Sequence, residues 1–259
     1  MTTVDVNNWS LVFAFSLVLI SLGISYWQKL KLEKETIIAV GRSIVQLIIV
    51  GYLLAYIFKL DNFLLTLAMQ LFIVFNAARN GKRRGAGIAH AFGIAWSGLM
   101  LSTFLTMGVL VLTGVLKMEP FQLIPVTGMI AGNSMTAVGL VYRSLKKQFT
   151  DQQNQVFERL ALGASPKLAS GEIFREAIRT GMQPTIDSVK TYGLVSLPGM
   201  MSGLIMAGVS PIHAIKYQIM VVFMLLSATG ISSVWSSYLA YRSFYTKDWQ
   251  LILLKEDDK

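Results

Sequence analysis

The chain has 259 residues, 54% of them hydrophobic and only 14% charged, with a formal net charge of +9 and no cysteine. An ordinary soluble domain is excluded, since about a quarter of its residues would be charged; so are disulfides, thiolate metal sites and cysteine nucleophiles. The positive surplus reads as membrane topology rather than nucleic-acid binding, because Lys and Arg concentrate on the cytoplasmic side of membrane proteins.

Long apolar runs with almost no charge predict transmembrane helices. The first is Trp9 to Trp27, bounded by tryptophans that suit the interface. Met1 to Asn8 carries Asp5 and no Lys or Arg, so a signal peptide is not expected. Lys29, Lys31 and Lys34 follow, then a second span from Thr36 to Phe58. A third runs from Phe63 to Ala78, closed by the basic turn Arg79-Asn80-Gly81-Lys82-Arg83-Arg84. The fourth is Ile88 to Leu116 and the fifth Phe121 to Leu145. A polar segment, 146–187, separates these from a sixth span at Ser188 to Ala207 and a seventh at Ile212 to Tyr241. The expected fold is all-α: a polytopic integral membrane helical bundle of about seven spans, forming one transmembrane domain over 1–259.

The connectors after spans one, three, five and seven hold nearly all the basic residues, whereas the other side holds Lys59 and Lys117. The positive-inside rule then places the N-terminus outside and the C-terminus and polar segment in the cytosol.

The polar segment contains two amphipathic repeats, one around Phe157, Glu158, Arg159, Leu160 and Gly163, the other around Phe174, Arg175, Glu176 and Gly181. In the second, Ile173, Phe174, Ala177, Ile178 and Met182 share one face. Such helices rest on a lipid surface or fill a groove on a partner; pattern alone leaves both open. Spans five and six echo one another: Pro125, Gly128, Met129, Asn133, Ser134 and Met135 in one, Pro198, Gly199, Met200 and Met201 in the other. Paired helix breaks point to a substrate path or hinge, and Gly128-x-x-x-Gly132 equally suits close helix packing.

Glu158-Arg159-Leu160-Ala161-Leu162-Gly163-Ala164-Ser165-Pro166 is similar to the cytosolic coupling-loop signature of ABC transporter permeases, as is Glu176-Ala177 to Gly181 followed by Leu197-Pro198. Over roughly residues 35 to 245 the chain resembles the iron-export ABC permease (FetB) family, whose plant relatives are aluminium-tolerance permeases. The carrying residues are Pro125, Gly128-Met129, Gly132-Asn133-Ser134-Met135, Leu194 to Gly203, Ala207 to Pro211 and Tyr217-Gln218-Ile219. The resemblance implies metal export, a permease homodimer in the inner or plasma membrane, and a separate ATPase subunit that holds ATP and Mg. The chain itself has no phosphate-binding Gly-x-x-x-x-Gly-Lys-Ser/Thr loop and no expected cofactor.

Within the spans, charge needs a reason. Arg42, on one face with Gln46, either snorkels to the interface or lines a path; Lys216 poses the same choice. Gln70, Asn133 and Gln218 bridge helices or line a path. No Asp or Glu is expected inside a span, which argues against proton-coupled antiport and leaves hard-cation ligands unidentified. Met129, Met135, Met200 and Met201 are packing or soft ligands, and His90 and His213 fall on opposite sides. Other readings remain: an ABC permease for a non-metal substrate such as a sugar nucleotide or lipid-like molecule, or a secondary carrier or channel.

Overall fold

Local chemistry sets the helix ends. The computed structural model describes Trp9, residues 13–246 and residues 248–252. Helix α1 (Ser16–Trp27) passes through Lys29 and Lys31, both at positive φ, into α2 (Glu33–Leu60). The Ser25 hydroxyl fastens this turn by donating to Glu33 at 2.8 Å. Asp61 ends α2 in the left-handed region, and the Asn62 side chain caps α3 (Phe63–Arg84) by accepting the Leu64 N–H. Helix α4 is Ala91–Leu112, and α5, opened by a proline that needs no N–H partner at that position, is Pro120–Asp151. Then come α6 (Gln153–Ala161), the single turn α7 (Pro166–Ala169), α8 (Gly171–Thr191), α9 (Gly199–Met206) and α10 (Pro211–Ala240), which tightens into a 3₁₀ turn at Tyr241–Phe244.

Among the described residues, five helices are long and apolar enough to cross a membrane: α2, α3, α4, α5, and α10 with its terminal turn. Helices α3, α4, α5 and α10 form the bundle, and α8 lies against α5 and α10. The C-terminal ends of α3, α5 and α10 meet at a basic end. There Arg84 packs over Gly139, the Tyr142 hydroxyl donates to the Ala91 carbonyl at 3.0 Å, and the Ser243 hydroxyl donates to that of Ala89. A core of Val74, Leu99, Val138, Tyr142, Phe149, Ile173, Phe174 and Phe244 fills this end; Met107, Leu123, Ile130, Met220 and Met224 fill the other. Helix α2 stands apart. None of its apolar window is buried, and it touches the bundle near Ile57, Met69 and Ile124.

Small residues let α4 and α10 approach. A Cβ on Gly98 would lie 3.0 Å from the Ser236 hydroxyl, and Ser232, Ser233, Ser236 and Ser237 are all buried. The Gln70 amide donates to the Thr127 hydroxyl at 2.9 Å, so Gln70 is a helix bridge between α3 and α5.

The expected boundaries change in five places. Arg79 to Arg84 are the last turns of α3, not a connector, a position the helix dipole favours for cations. The polar start at Lys146 continues α5 to Asp151. Helix α5 also runs unbroken through Pro125, so spans five and six are not matching breaks. The expected sixth span is two helices, α8 and α9, with residues 192–198 between them. Gly193 sits at φ +81°, its N–H binds the Ser196 carbonyl at 2.9 Å, and Pro198 cannot continue a ladder. The first span, Trp9 to Trp27, lies partly outside the described residues, which show its 12-residue segment α1.

The fifth change concerns depth. Helix α8 does not lie flat as a surface helix. Thr180 meets Ser144, Gly181 packs on Ala137 and Val141, and Met182 reaches Gly230, so α8 runs down the bundle antiparallel to α5 and α10. Asp187 is six residues beyond Gly181, roughly 9 Å further along the axis. Pro184 lies between them inside the helix, and Gly181 is the last buried residue of α8. The polar segment therefore enters the bundle with α8, a helix that is not itself among the five long apolar ones.

Candidate functional site

Two regions gather the residues singled out by sequence. At the basic end, α6 and α7 fold back over the start of α8. Gly163, at φ +88°, stops α6, and the Ala164 N–H returns to the Arg159 carbonyl at 3.0 Å, a glycine-dependent helix end. Ser165 caps α7 through the Leu168 N–H. Buried Ser170 shares a short hydrogen bond with the Tyr245 hydroxyl, while Phe149 stacks on Phe244 at 4.2 Å. The platform is thus clamped by the chain segment that follows α10.

Its residues divide into two groups. Arg159 holds the platform together, donating to the Ala169 carbonyl at 3.2 Å and to Glu172 at 2.9 Å. The hydrogen bond from Arg159, and then its charge, hold the Glu172 carboxyl below the usual range. Phe174 is buried against Tyr241, Leu160 packs on the core, and Gly181 is enclosed, its would-be Cβ 2.7 Å from Val141. These three face the bundle, not a partner. Phe157, Glu158, Arg175 and the rim of Gly163 are exposed, and Glu176 pairs with Arg179 at 2.6 Å. Sequence reading quoted Leu162 only within the coupling-loop signature and missed Leu168; they are 88% and 70% exposed, beside a groove of about 840 Å³ lined by Arg159, Lys167, Arg175 and Tyr238. Two leucines flanking a Gly-Ala-Ser-Pro turn, with no helical face to join, were the available signal.

The second region is the outer face where α5 adjoins α8. Gly128 and Gly132 have no heavy atom within 4 Å of a would-be Cβ; neither do Gly199 and Gly203 beyond the break. The glycines expected to pack helices within the chain therefore face outward. Asn133 and Thr136 are exposed beside them. On α8, Arg179, Gln183, Asp187 and Lys190 are exposed at spacings of three and four, one stripe on the side that meets α5. The Gln183 amide donates to both Asp187 oxygens at 2.9 and 3.0 Å, and Lys190 lies 3.2 Å from Asp187. An ionised side chain at the centre of a membrane helix costs about 2.5–3.5 kcal/mol on insertion scales. Such a stripe therefore calls for protein or water, not lipid, outside it.

Other expected path residues are not brought here. Arg42 and Gln46 line a separate open groove on α2 with Lys31, Lys34 and Glu35. Ser134 is buried, 3.5 Å from the Ser102 hydroxyl, and Gln218 is buried in α10. Met129 and Met200 pack on the core shared with Met220 and Met224, while Met135 packs on the basic-end core and Met201 is half-buried. The methionines are packing and converge on no site. Pro125 lies exposed in the second turn of α5, and Pro198 directly precedes α9. His90 starts α4 and His213 starts α10, at opposite ends of the bundle. No group of three His, Cys, Asp or Glu that could hold a metal occurs among the described residues of one chain.

Comparison with known proteins gives consistent matches. The model of the uncharacterised protein family UPF0014 matches residues 8–245. The chain is 50% identical over 253 residues to the "Probable iron export permease protein FetB" of Escherichia coli K12, covering 98% of each chain. It is 38% identical to "Protein ALUMINUM SENSITIVE 3" of Arabidopsis thaliana, covering 94% of this chain and 93% of that one. It is 37% identical to "UPF0014 membrane protein STAR2" of rice, covering 93% and 84%. No solved structure matches.

Proposed function

The chain belongs to the UPF0014 family of membrane proteins, and on that premise we propose that it is the permease subunit of an ABC transporter exporting a metal ion, iron by its relative's name. The observation that carries the reading is 50% identity, over nearly the whole length, to a protein named as a probable iron export permease. ATP and Mg would be held by a separate ATPase chain. The clamped platform supports this: it offers Phe157, Glu158, Leu162 and Leu168 as an exposed, partly apolar surface on a rigid base. Loose loops transmit little motion, whereas an element tied to α5, α8 and α10 passes on what pushes it. In this reading the basic end is cytosolic, as the positive-inside rule requires.

A second copy of the chain is also part of the proposal. The outer face of α5 combines Gly128 and Gly132, which allow backbones to approach, with Asn133 and Thr136, which lipid solvates poorly. Helix α2, by contrast, exposes Ile37, Ile38, Val45, Leu47 and Ile48, side chains that lipid accepts.

The test is twofold. A chain tagged and extracted in mild detergent is expected to bring down a stoichiometric subunit with a phosphate-binding loop. The pair, reconstituted in vesicles, is expected to move ferrous iron only with ATP. Recovery of the intact chain without an ATPase would turn the reading toward a carrier or channel. One observation favours a non-metal substrate within the ABC reading: the absence, among the described residues, of a three-ligand metal cluster in one chain. ATP-dependent movement of an organic anion with no movement of iron would select it.

A further inference from the structure

We propose that the groove between the platform and the basic ends of α8 and α10 binds an anionic phospholipid of the inner leaflet, with Lys167 and Arg175 on its phosphate and the outer face of α10 under its acyl chain. The inference uses the orientation of the bundle and holds for a permease of any substrate.

Three observations carry it. The first is charge. The groove is bordered by three cations, Arg159, Lys167 and Arg175, and by one carboxylate, Glu172. Arg159 is already engaged, donating to Glu172 at 2.9 Å and to the Ala169 carbonyl at 3.2 Å. Lys167 and Arg175 have no ion-pair partner among the described residues. The Lys167 ammonium lies 5.0 Å from the centre of the Tyr238 ring, a contact that holds a cation in place without neutralising it. Two unmatched cations from different elements, α7 and α8, thus border one cavity.

The second observation is depth. The Trp235 indole N–H donates to the Ser97 hydroxyl at 2.9 Å, which brings Trp235 of α10 level with Trp96 of α4. Tryptophan and tyrosine collect at the membrane–water boundary. Tyr238 lies three residues further toward the basic end, about 4.5 Å along the axis. Lys167 and Arg175, grouped with Tyr238 around the groove, therefore stand at headgroup level.

The third is shape. Leu162 and Leu168 border the groove at the platform, and Ile178 borders it on the bundle. Four and seven residues before Tyr238, Val234 is exposed and Ile231 half-buried, so the same face of α10 continues as an apolar track toward the membrane interior. A free phosphate or nucleotide makes no use of that track. A phospholipid fills both parts, as basic pockets between helices on the cytoplasmic side do with anionic head groups. Lipid in the groove also ties α7 to the helices beneath it, because Lys167 belongs to α7 whereas Arg175 and Tyr238 belong to α8 and α10. Phe157 and Glu158 of α6 do not border the groove and stay open to a protein partner.

The experiment uses the full chain in a neutral detergent, titrated with phosphatidylglycerol or phosphatidylcholine and read by native mass spectrometry. Wild type is compared with K167Q/R175Q and with K82Q/R83Q, which removes the same charge from the end of α3, away from the groove. All four side chains are exposed, so lipid-free melting is expected to be the same in the three proteins. Wild type is expected to bind phosphatidylglycerol saturably and in preference to phosphatidylcholine. A basic residue beside anionic lipid contributes about fivefold, so either single substitution is expected to weaken binding by about that factor and K167Q/R175Q by about twentyfold. K82Q/R83Q is expected to leave it unchanged, its charges being remote and screened. A ligand of the folded state raises the melting temperature, so phosphatidylglycerol is expected to stabilise wild type and K82Q/R83Q but not K167Q/R175Q. An equal loss in both double variants overturns the site in favour of diffuse surface charge. Equal binding of the two lipids overturns the role of the anion, and displacement by millimolar inorganic phosphate overturns the lipid as its source. None of these outcomes touches the permease reading, which recovery of the ATPase decides.

Discussion

At the residue scale, two side-chain environments make quantitative claims. Gly181 is enclosed on three sides: a Cβ there would meet Val141 at 2.7 Å, Ser233 at 2.8 Å and the Ala137 carbonyl at 3.1 Å. The last contact is backbone and cannot swing aside. Gly181→Ala is expected to cost about 1–3 kcal/mol, the usual range for overpacking, seen as a lower melting temperature of the purified chain. Gly132→Ala, facing open space within the chain, is expected to leave the isolated chain's melting unchanged. The Arg159–Glu172 link adds a pH dependence. The folded-state carboxyl of Glu172 is held low, chiefly by the Arg159 hydrogen bond and then by its charge. Its contribution is thus fully present above the ordinary glutamate value of about 4.3 and is lost as pH falls through the lower folded value. Glu172→Gln is expected to melt earlier than wild type at neutral pH, with the difference closing on acidification. A gap that persists below that range would remove the ion pair as its cause.

At the element scale, helices with long uniform apolar runs were legible and interrupted ones were not. Helices α2 to α5 and α10 announced themselves by composition, because length and the absence of charge suffice for a span. Helix α8 did not, because its inner half is amphipathic and its apolar face is spent on α5 and α10, a pattern that a surface helix shares. Only tertiary contacts reveal that Phe174 and Gly181 turn inward. Pro125 misled for a related reason. Pro125, in the second turn of α5, forfeits the bond its N–H would make to the Phe121 carbonyl, yet the helix continues through it, whereas Pro198 stands where Gly193 has already broken the chain. Pro198→Ala removes roughly 3 kcal/mol of helix-breaking preference and lets α9 extend toward the break. Transport is expected to fall while yield and melting hold, and unchanged transport would leave the break as simple packing. On α6, Glu158 is exposed, with no side-chain partner among the described residues. Glu158→Lys is expected to reduce ATPase recovery in co-purification with membrane insertion intact. Arg159→Met, by contrast, is expected to loosen the platform itself.

At the scale of the whole molecule, the distribution of exposed surface decides what surrounds it. Exposed apolar side chains lie on α1, α2 and α10 and on the outer sides of α3 and α4, where Leu47, Ile49, Leu64, Phe72, Leu105 and Phe223 suit lipid. The α5 and α8 face, with Gly128, Gly132, Asn133, Thr136, Gln183 and Asp187, does not. A polytopic protein cannot leave that face to hydrocarbon, and in the proposed homodimer a second copy related by a two-fold axis along the membrane normal would bring it against itself. Such an axis would place Asn133 near its own counterpart and keep both basic ends on one side, where the proposed ATPase pair would meet both platforms. The native chain has no cysteine, so single cysteines report cleanly. Asn133→Cys is expected to cross-link between copies in native membranes with a short bifunctional reagent, whereas Leu47→Cys on α2 is not. Leu162→Cys is expected to react with an impermeant reagent only from the cytosolic side, and Met118→Cys only from the other. Cross-linking at Leu47 in preference to Asn133 would move the axis to α2 and leave the Asp187 stripe facing some other protein. Equal labelling of Leu162 and Met118 from one side would break the antiparallel order of α4 and α5.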